Sequence, residues 1–184
     1  MEADWEIEIG GDAPVIEAHW FGFVDLRIEP SRANELPETR QLPGLADALA
    51  HLNATTSSVW TCKTDVFVPD QIDSDELDSE REEATHAIAC YVDLLPRSKQ
   101  QWVLPAQAEA DCKLICAKLR SSRLSRCRAD LVIRRAVIAS DSHGLGVTAY
   151  LTACGATQDD AKLRLAECLA MFAGIVLSQD ARIR

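Results

Sequence analysis

The sequence predicts an α+β fold: duplicated β-α-β halves, in the order ββαβ then βαββα, forming a ferredoxin-like type of sheet with its helices on one face. Three observations predict it. Strand and helix signals recur in the same order on either side of residues 70–83, that stretch is itself strongly acidic, and the strands alternate between an apolar and a mixed face.

The recurrence begins with Phe23-Val24-Asp25-Leu26, which returns as Tyr91-Val92-Asp93-Leu94. Each is followed by a Leu-Pro, at Leu42-Pro43 and Leu104-Pro105, and then by a Cys-x-x-Asp strand, Cys62 to Asp65 and Cys127 to Asp130. The aspartates of each copy stand 40 and 37 residues apart, so one loop insertion reconciles the two. Matching residues at matching distances point to duplication.

Each element follows from its residues. Trp5-Glu6-Ile7-Glu8-Ile9 alternates strictly and meets Gly10-Gly11-Asp12, which predicts a hairpin with residues 15–28. Residues 20–28 and 60–68 read as strands from their β-branched and aromatic alternation. Proline suits a first helical turn, and Leu45, Leu49 and Leu52 recur at helical spacing behind Pro43. Ala108, Cys112, Ile115, Cys116 and Leu119 do the same behind Pro105. Asp141-Ser142-His143-Gly144 joins a strand at 127–138 to one at 145–154. A helix over 157–178 closes the sequence, with Thr157 and Asp160 as its N-terminal cap pattern and Leu163, Leu165, Leu169, Phe172 and Val176 on its apolar face.

Domain organisation follows the charges. Residues 1–69 form a first half of net charge −8, residues 70–83 an acidic connector of −7, and residues 84–184 a second half of +5. The complementary signs predict halves that dock as one compact unit, with a short helix near residues 75–85 as an option in the connector. All of the seven cysteines but Cys112 have apolar residues close by, and they recur at strand or helix spacing, which predicts buried free thiols in a reducing compartment. No apolar run approaches the roughly 20 residues that cross a bilayer, and the acidic N-terminus is unlike a signal peptide. The expected location is cytoplasmic, with no membrane partner.

Alternation also selects the candidate site. Asp25, Arg27, Lys63, Asp65, Tyr91, Asp93, Arg128, Asp130, Arg134 and Tyr150 fall on the mixed face, opposite the helices. Such a face can receive a ligand or partner, or its charges can pair across strands. Cations beside nearly every aspartate argue against a metal site, and no residue pattern indicates a catalytic set or a cofactor. Cys112 and Cys116 lack a second ligand pair, and the histidines are scattered. Lys118, Arg120, Arg123, Arg126, Arg128, Arg134 and Arg135 make one basic cluster, but cations suit a helix C-terminus and no aromatics interleave them, which points away from nucleic acid. Trp5, Trp20, Trp60 and Trp102 read as packing anchors.

The functional expectation is a non-catalytic binding protein that engages another protein, basic in character, through a charge-polarised surface. Immunity proteins, antitoxins and inhibitors that mask basic sites share that chemistry. Two alternatives stay open: a small hydrolase-like enzyme using strand aspartates, and a structural or oligomerising domain that buries the mixed face in a homo-oligomer.

Overall fold

The computed structural model describes residues 1–20, 22–71, 73, 75, 77, 84–138 and 142–180, the side chains of 142, 143, 179 and 180 excepted. It is an α+β protein with a mixed sheet of six strands. The strands are β1 (Glu2–Glu8), β2 (Val15–Ala18), β3 (Val59–Phe67), β4 (His86–Pro96), β5 (Cys127–Ile138) and β6 (Ser142–Gly155). The helices are α1 (Leu45–Leu52), α2 (Pro105–Arg120) and α3 (Gln158–Asp180), preceded by two 3-10 turns, Pro30–Glu35 and Pro37–Arg40. The element order is the expected one, and the sheet order is β1-β5-β6-β4-β3.

The helices form because each buries a stripe. In α2 the five buried residues are Ala108, Cys112, Ile115, Cys116 and Leu119, the set predicted from spacing. Gln107 Oε1 accepts hydrogen bonds from the backbone N–H groups of Val103 and Leu104, and Lys118 and Arg120 occupy the last turn. In α3 the N–H of Asp160 donates to Thr157 Oγ1 at 3.1 Å, the predicted cap. α3 packs on β6 and β4 and touches both α1 and α2, so the three helices form one layer. Leu165, Leu169, Phe172 and Val176 are buried there, while Leu163 is exposed. Each fully buried Leu or Phe contributes about 1.5–3 kcal/mol, well above what helix propensity supplies. The main core draws on residues from both sides of the connector, from Met1 to Val176. All seven cysteines are free and buried. No described helix is long and apolar enough to cross a membrane.

The first half departs from expectation. β1 and β2 do not form a hairpin: both run parallel to β5, end to end, Glu2–Glu8 against Arg128–Arg134 and Val15–Ala18 against Arg135–Ile138. The Gly10 turn loops the chain out and returns it to the same direction, and Arg135 holds the loop by donating to the carbonyls of Gly10 and Gly11.

Of the strand expected over residues 20–28, the described residues 20 and 22–28 do not form one. His19 and Gly22 adopt φ of 70° and 86°, and turns close from Trp20 O to Phe23 N and from Asp25 O to Ile28 N. Left-handed backbone at two nearby positions breaks the pleat. Phe23-Val24-Asp25-Leu26 is therefore irregular where its sequence counterpart lies in β4, and the two halves are not built alike. Among the described residues, the split β4-α2-β5 unit, with β6 inserted between its parallel strands, occurs in the second half alone.

Most of the connector, and the helix expected near 75–85, lies outside the described residues. Leu77 within it is buried with Ala84, Ala87 and Cys154.

Candidate functional site

The strand register shows how the uncovered face is made. Cys127, Ala129, Leu131 and Ile133 of β5, with Val147, Ala149, Leu151 and Ala153 of β6, point into the helix-covered core. Arg128, Asp130, Arg134, Thr148 and Tyr150 therefore take the opposite face, as alternation predicts. On β4 the same side carries Tyr91, Asp93 and Leu95. On β3, Lys63 stands opposite Asp93 and Asp65 opposite Tyr91.

A register shift between Thr61 and Lys63 changes the first turn of β3. The extra residue sends Trp60 and Cys62 onto the uncovered face and turns Thr61 toward α1, where Asn53 binds its hydroxyl and its N–H. Strict alternation through Lys63, Asp65 and Phe67 would turn Trp60 and Cys62 toward the helices and Thr61 to the uncovered face, and the bulge reverses all three.

The uncovered face is concave. β2 and β3 lie at opposite margins of the sheet, yet the Cys62 thiol reaches the Glu17 carbonyl at 3.8 Å. Ile16, Ala18, Trp60, Cys62, Leu95 and Ala136 form a second apolar cluster where the margins meet. Gly146 permits this curl: a Cβ there would sit 2.8 Å from Ile16 Cδ1 and 2.8 Å from the Leu94 carbonyl oxygen. The segment after β2 then crosses the same end, with Phe23 edge-on to both Trp20 and Trp60.

A chain of polar groups crosses the middle of the face. Glu8 of β1 accepts from Arg134 Nε and Nη2 at 3.1 and 2.8 Å. Arg134 Nη1 donates to the Tyr150 hydroxyl at 3.0 Å and to Thr148 Oγ1 at 3.3 Å, and Thr148 donates onward to Asp93 Oδ1 at 2.6 Å. Asp93 is 7% exposed, and burial raises its carboxyl above the usual range against the Thr148 hydrogen bond and the charges of Arg134 and Lys63. Tyr91, 5.9 Å from the Tyr150 ring, is pushed up to about 12 by burial and by the nearby charges of Asp93 and Asp65.

Two depressions flank this chain. One, of about 460 Å³, lies over β1, β5 and β6 and is lined by Arg128, Asp130, Arg134 and Tyr150. The other, of about 560 Å³, lies between β3 and the segment after β2, with Asp93 and Lys63 on one wall and Trp20, Phe23, Glu17 and Glu38 on the other.

Eight of the ten residues chosen from sequence thus share the concave face. Asp25 and Arg27 belong to the irregular segment and pair with each other, through Nη2 to Oδ2 at 2.6 Å and Nε to Oδ1 at 2.8 Å. The Arg27 guanidinium lies 3.8 Å over the Trp60 ring, and its hydrogen bonds hold the Asp25 carboxyl below the usual range. Sequence reasoning left out Glu8, Glu17, Glu38 and the aromatic wall. Gly22 amid Trp20 and Phe23 was the available signal for a bend there. Trp60 and Trp102 are buried anchors, but Trp20 is 44% exposed at the cavity rim.

The basic cluster disperses. Arg120 faces Asp4 at 3.5 Å, Arg126 Asp160 at 3.7 Å, Arg128 Asp130 at 2.8 Å and Arg134 Glu8 at 2.8 Å, while Lys118 donates to Ser178. Among the described residues no three His, Cys, Asp or Glu side chains are placed to hold a metal ion. Comparison of the chain with protein-family models, curated proteins and solved structures finds no match.

Proposed function

We propose that the protein is a non-catalytic binding protein whose concave sheet face receives a basic region of a partner protein. One observation carries this reading. The three guanidinium groups associated with the face are each paired within the chain, Arg27 to Asp25, Arg128 to Asp130 and Arg134 to Glu8. Asp65 and Asp93 on the face, and Glu38 at the cavity beside it, have no cation in ion-pair contact among the described residues. Neutralised arginines offer phosphates little grip, whereas carboxylates without counter-ions favour a cationic partner and disfavour an anionic one.

The test compares capture of proteins from the native host's extract by wild type, by Asp65→Lys and Phe67→Asp on the concave face, and by Leu163→Ala on the helix layer. A basic protein held by wild type and Leu163→Ala but released by both face variants is the expected result. Equal capture by all four refutes the assignment of the face.

One observation favours a second reading. Asp93 is a buried carboxyl with a raised pKa beside a cavity, near Tyr91 and opposite Lys63, a setting in which general acids occur. Hydrolysis of ester or phosphoester probes by wild type, abolished in Asp93→Asn, would move the function to catalysis.

A further inference from the structure

Asp93 has two carboxylate oxygens and one hydrogen-bond donor. Thr148 serves Oδ1 at 2.6 Å, and no side chain or backbone N–H serves Oδ2 among the described residues. The group is 7% exposed and lines the 560 Å³ cavity beside β3. A carboxylate so desolvated costs free energy unless a donor completes it. Lys63, its cross-strand neighbour, is exposed and forms no ion pair with it among the described residues.

The rest of the cavity fits one kind of group. Its charged lining is Glu17, Glu38, Asp93 and Lys63, an excess of two negative charges. Trp20 and Phe23 supply one aromatic wall, and Val15, Val24 and Leu36 add apolar lining. Aromatic faces attract cations, and an apolar stem beneath a charged head matches the long basic side chains. The volume lies within the roughly 300–1,000 Å³ of ligand sites.

We propose that this cavity receives one arginine or lysine side chain of the partner protein, its charged head donating to the free oxygen of Asp93 and its stem lying along the wall that Trp20 and Phe23 form together. The inference rests on the partner-binding reading and deepens it: the cavity is the point at which a basic partner is anchored, and Lys63 is an internal competitor for the same carboxylate.

The experiment uses the purified full chain without a partner. N-acetyl-arginine amide and N-acetyl-lysine amide are titrated by calorimetry and by amide chemical-shift mapping, with N-acetyl-citrulline amide as the uncharged isostere and spermidine as a free amine. The charged amides are expected to bind and to shift amides of residues 15–26 and 61–64, and the citrulline probe not to bind. Loss of a charge-assisted hydrogen bond in Asp93→Asn is expected to weaken binding about tenfold or more. Lys63→Gln, which removes the competitor and leaves Asp93 in place, is expected to strengthen it severalfold. Equal binding of citrulline and arginine amides, no effect of either variant, or tighter binding of spermidine than of both charged amides would each overturn the proposal. Failure here with a basic partner still captured through Asp65 and Phe67 would sink the cavity assignment alone. Amide binding with no face-dependent partner would sink the partner reading alone.

Discussion

The Thr148 hydroxyl donates a 2.6 Å hydrogen bond to Asp93 across the β4–β6 pair, with both side chains buried. Burial raises the Asp93 carboxyl, so between the ordinary carboxylate value and its raised one the folded state keeps a proton that the unfolded chain has released. Stability therefore falls as pH rises through that interval. Asp93→Asn removes the step. Its melting temperature is expected above the wild type's at pH 7, with the difference shrinking as pH drops below the ordinary carboxylate range. Thr148→Val leaves Asp93 without its donor and is expected to cost about 1–3 kcal/mol. Calorimetric melts across pH decide both, and an Asp93→Asn protein less stable than wild type at pH 7 would contradict the first.

Arg27 joins two partners at once, the Asp25 carboxylate in a two-point pair and the Trp60 ring 3.8 Å below. Lysine keeps the charge but lacks the flat fork, so Arg27→Lys is expected to cost about 0.5–2 kcal/mol and to alter tryptophan emission. Asp25 carries the opposite linkage to Asp93. Arg27 lowers its pKa, so its contribution is present above the unfolded value and is lost as pH falls through the folded one. Urea denaturation at pH 7 and at acid pH is expected to show a smaller acid loss in Asp25→Asn than in wild type.

Legibility from sequence tracks how local each cause is. The inward stripe of α2 and the two faces of β5 and β6 depend on period alone, and Cys112, Ile115, Asp130 and Tyr150 fall where the period places them. The bulge at Thr61–Lys63 depends on Asn53 capturing Thr61 from eight residues away, and no strand pattern encodes that capture. Asp25 resembles Asp93 in its neighbours, yet the left-handed backbone at His19 and Gly22 takes it out of the sheet. Glu8 enters the site because β1 pairs parallel to β5, a contact between residues 126 apart. Pairings of that range set the curl of the sheet, and with it the cavity.

Gly146 stands against Ile16 and the Leu94 carbonyl, where the curl brings β2 close. A methyl group there meets the Leu94 carbonyl oxygen and the Ile16 side chain at 2.8 Å, and backbone cannot yield as a flexible side chain can. Gly146→Ala is expected to destabilise by about 1–3 kcal/mol through overpacking. It is also expected to loosen the contact between β2 and β3, read as faster amide exchange at Ile16 and Cys62 than at Leu131. Gly174 is the control: its added Cβ meets nothing within 4 Å on the outer side of α3, so Gly174→Ala is expected to leave exchange at Ile16 and Cys62 unchanged.

The cysteines give a test that spans the whole core. All seven are buried, and burial raises Cys90 to about 12, Cys116 to about 11 and Cys62 and Cys112 above their usual value. The reactive species is the thiolate, so high pKa and exclusion of reagent act in the same direction. Cys127 differs, because a hydrogen bond with Cys168 lowers its pKa, but it is 1% exposed. At pH 8 the native protein is expected to react with an aromatic disulfide reagent at the rate of its opening, and all seven thiols to react at once in denaturant. The opening rate is expected to rise in Thr148→Val and Gly146→Ala, its logarithm increasing with their lost stability, since reaction requires the opened chain. Rapid modification of one or more thiols in the native wild type would show that part of the core opens independently of the sheet.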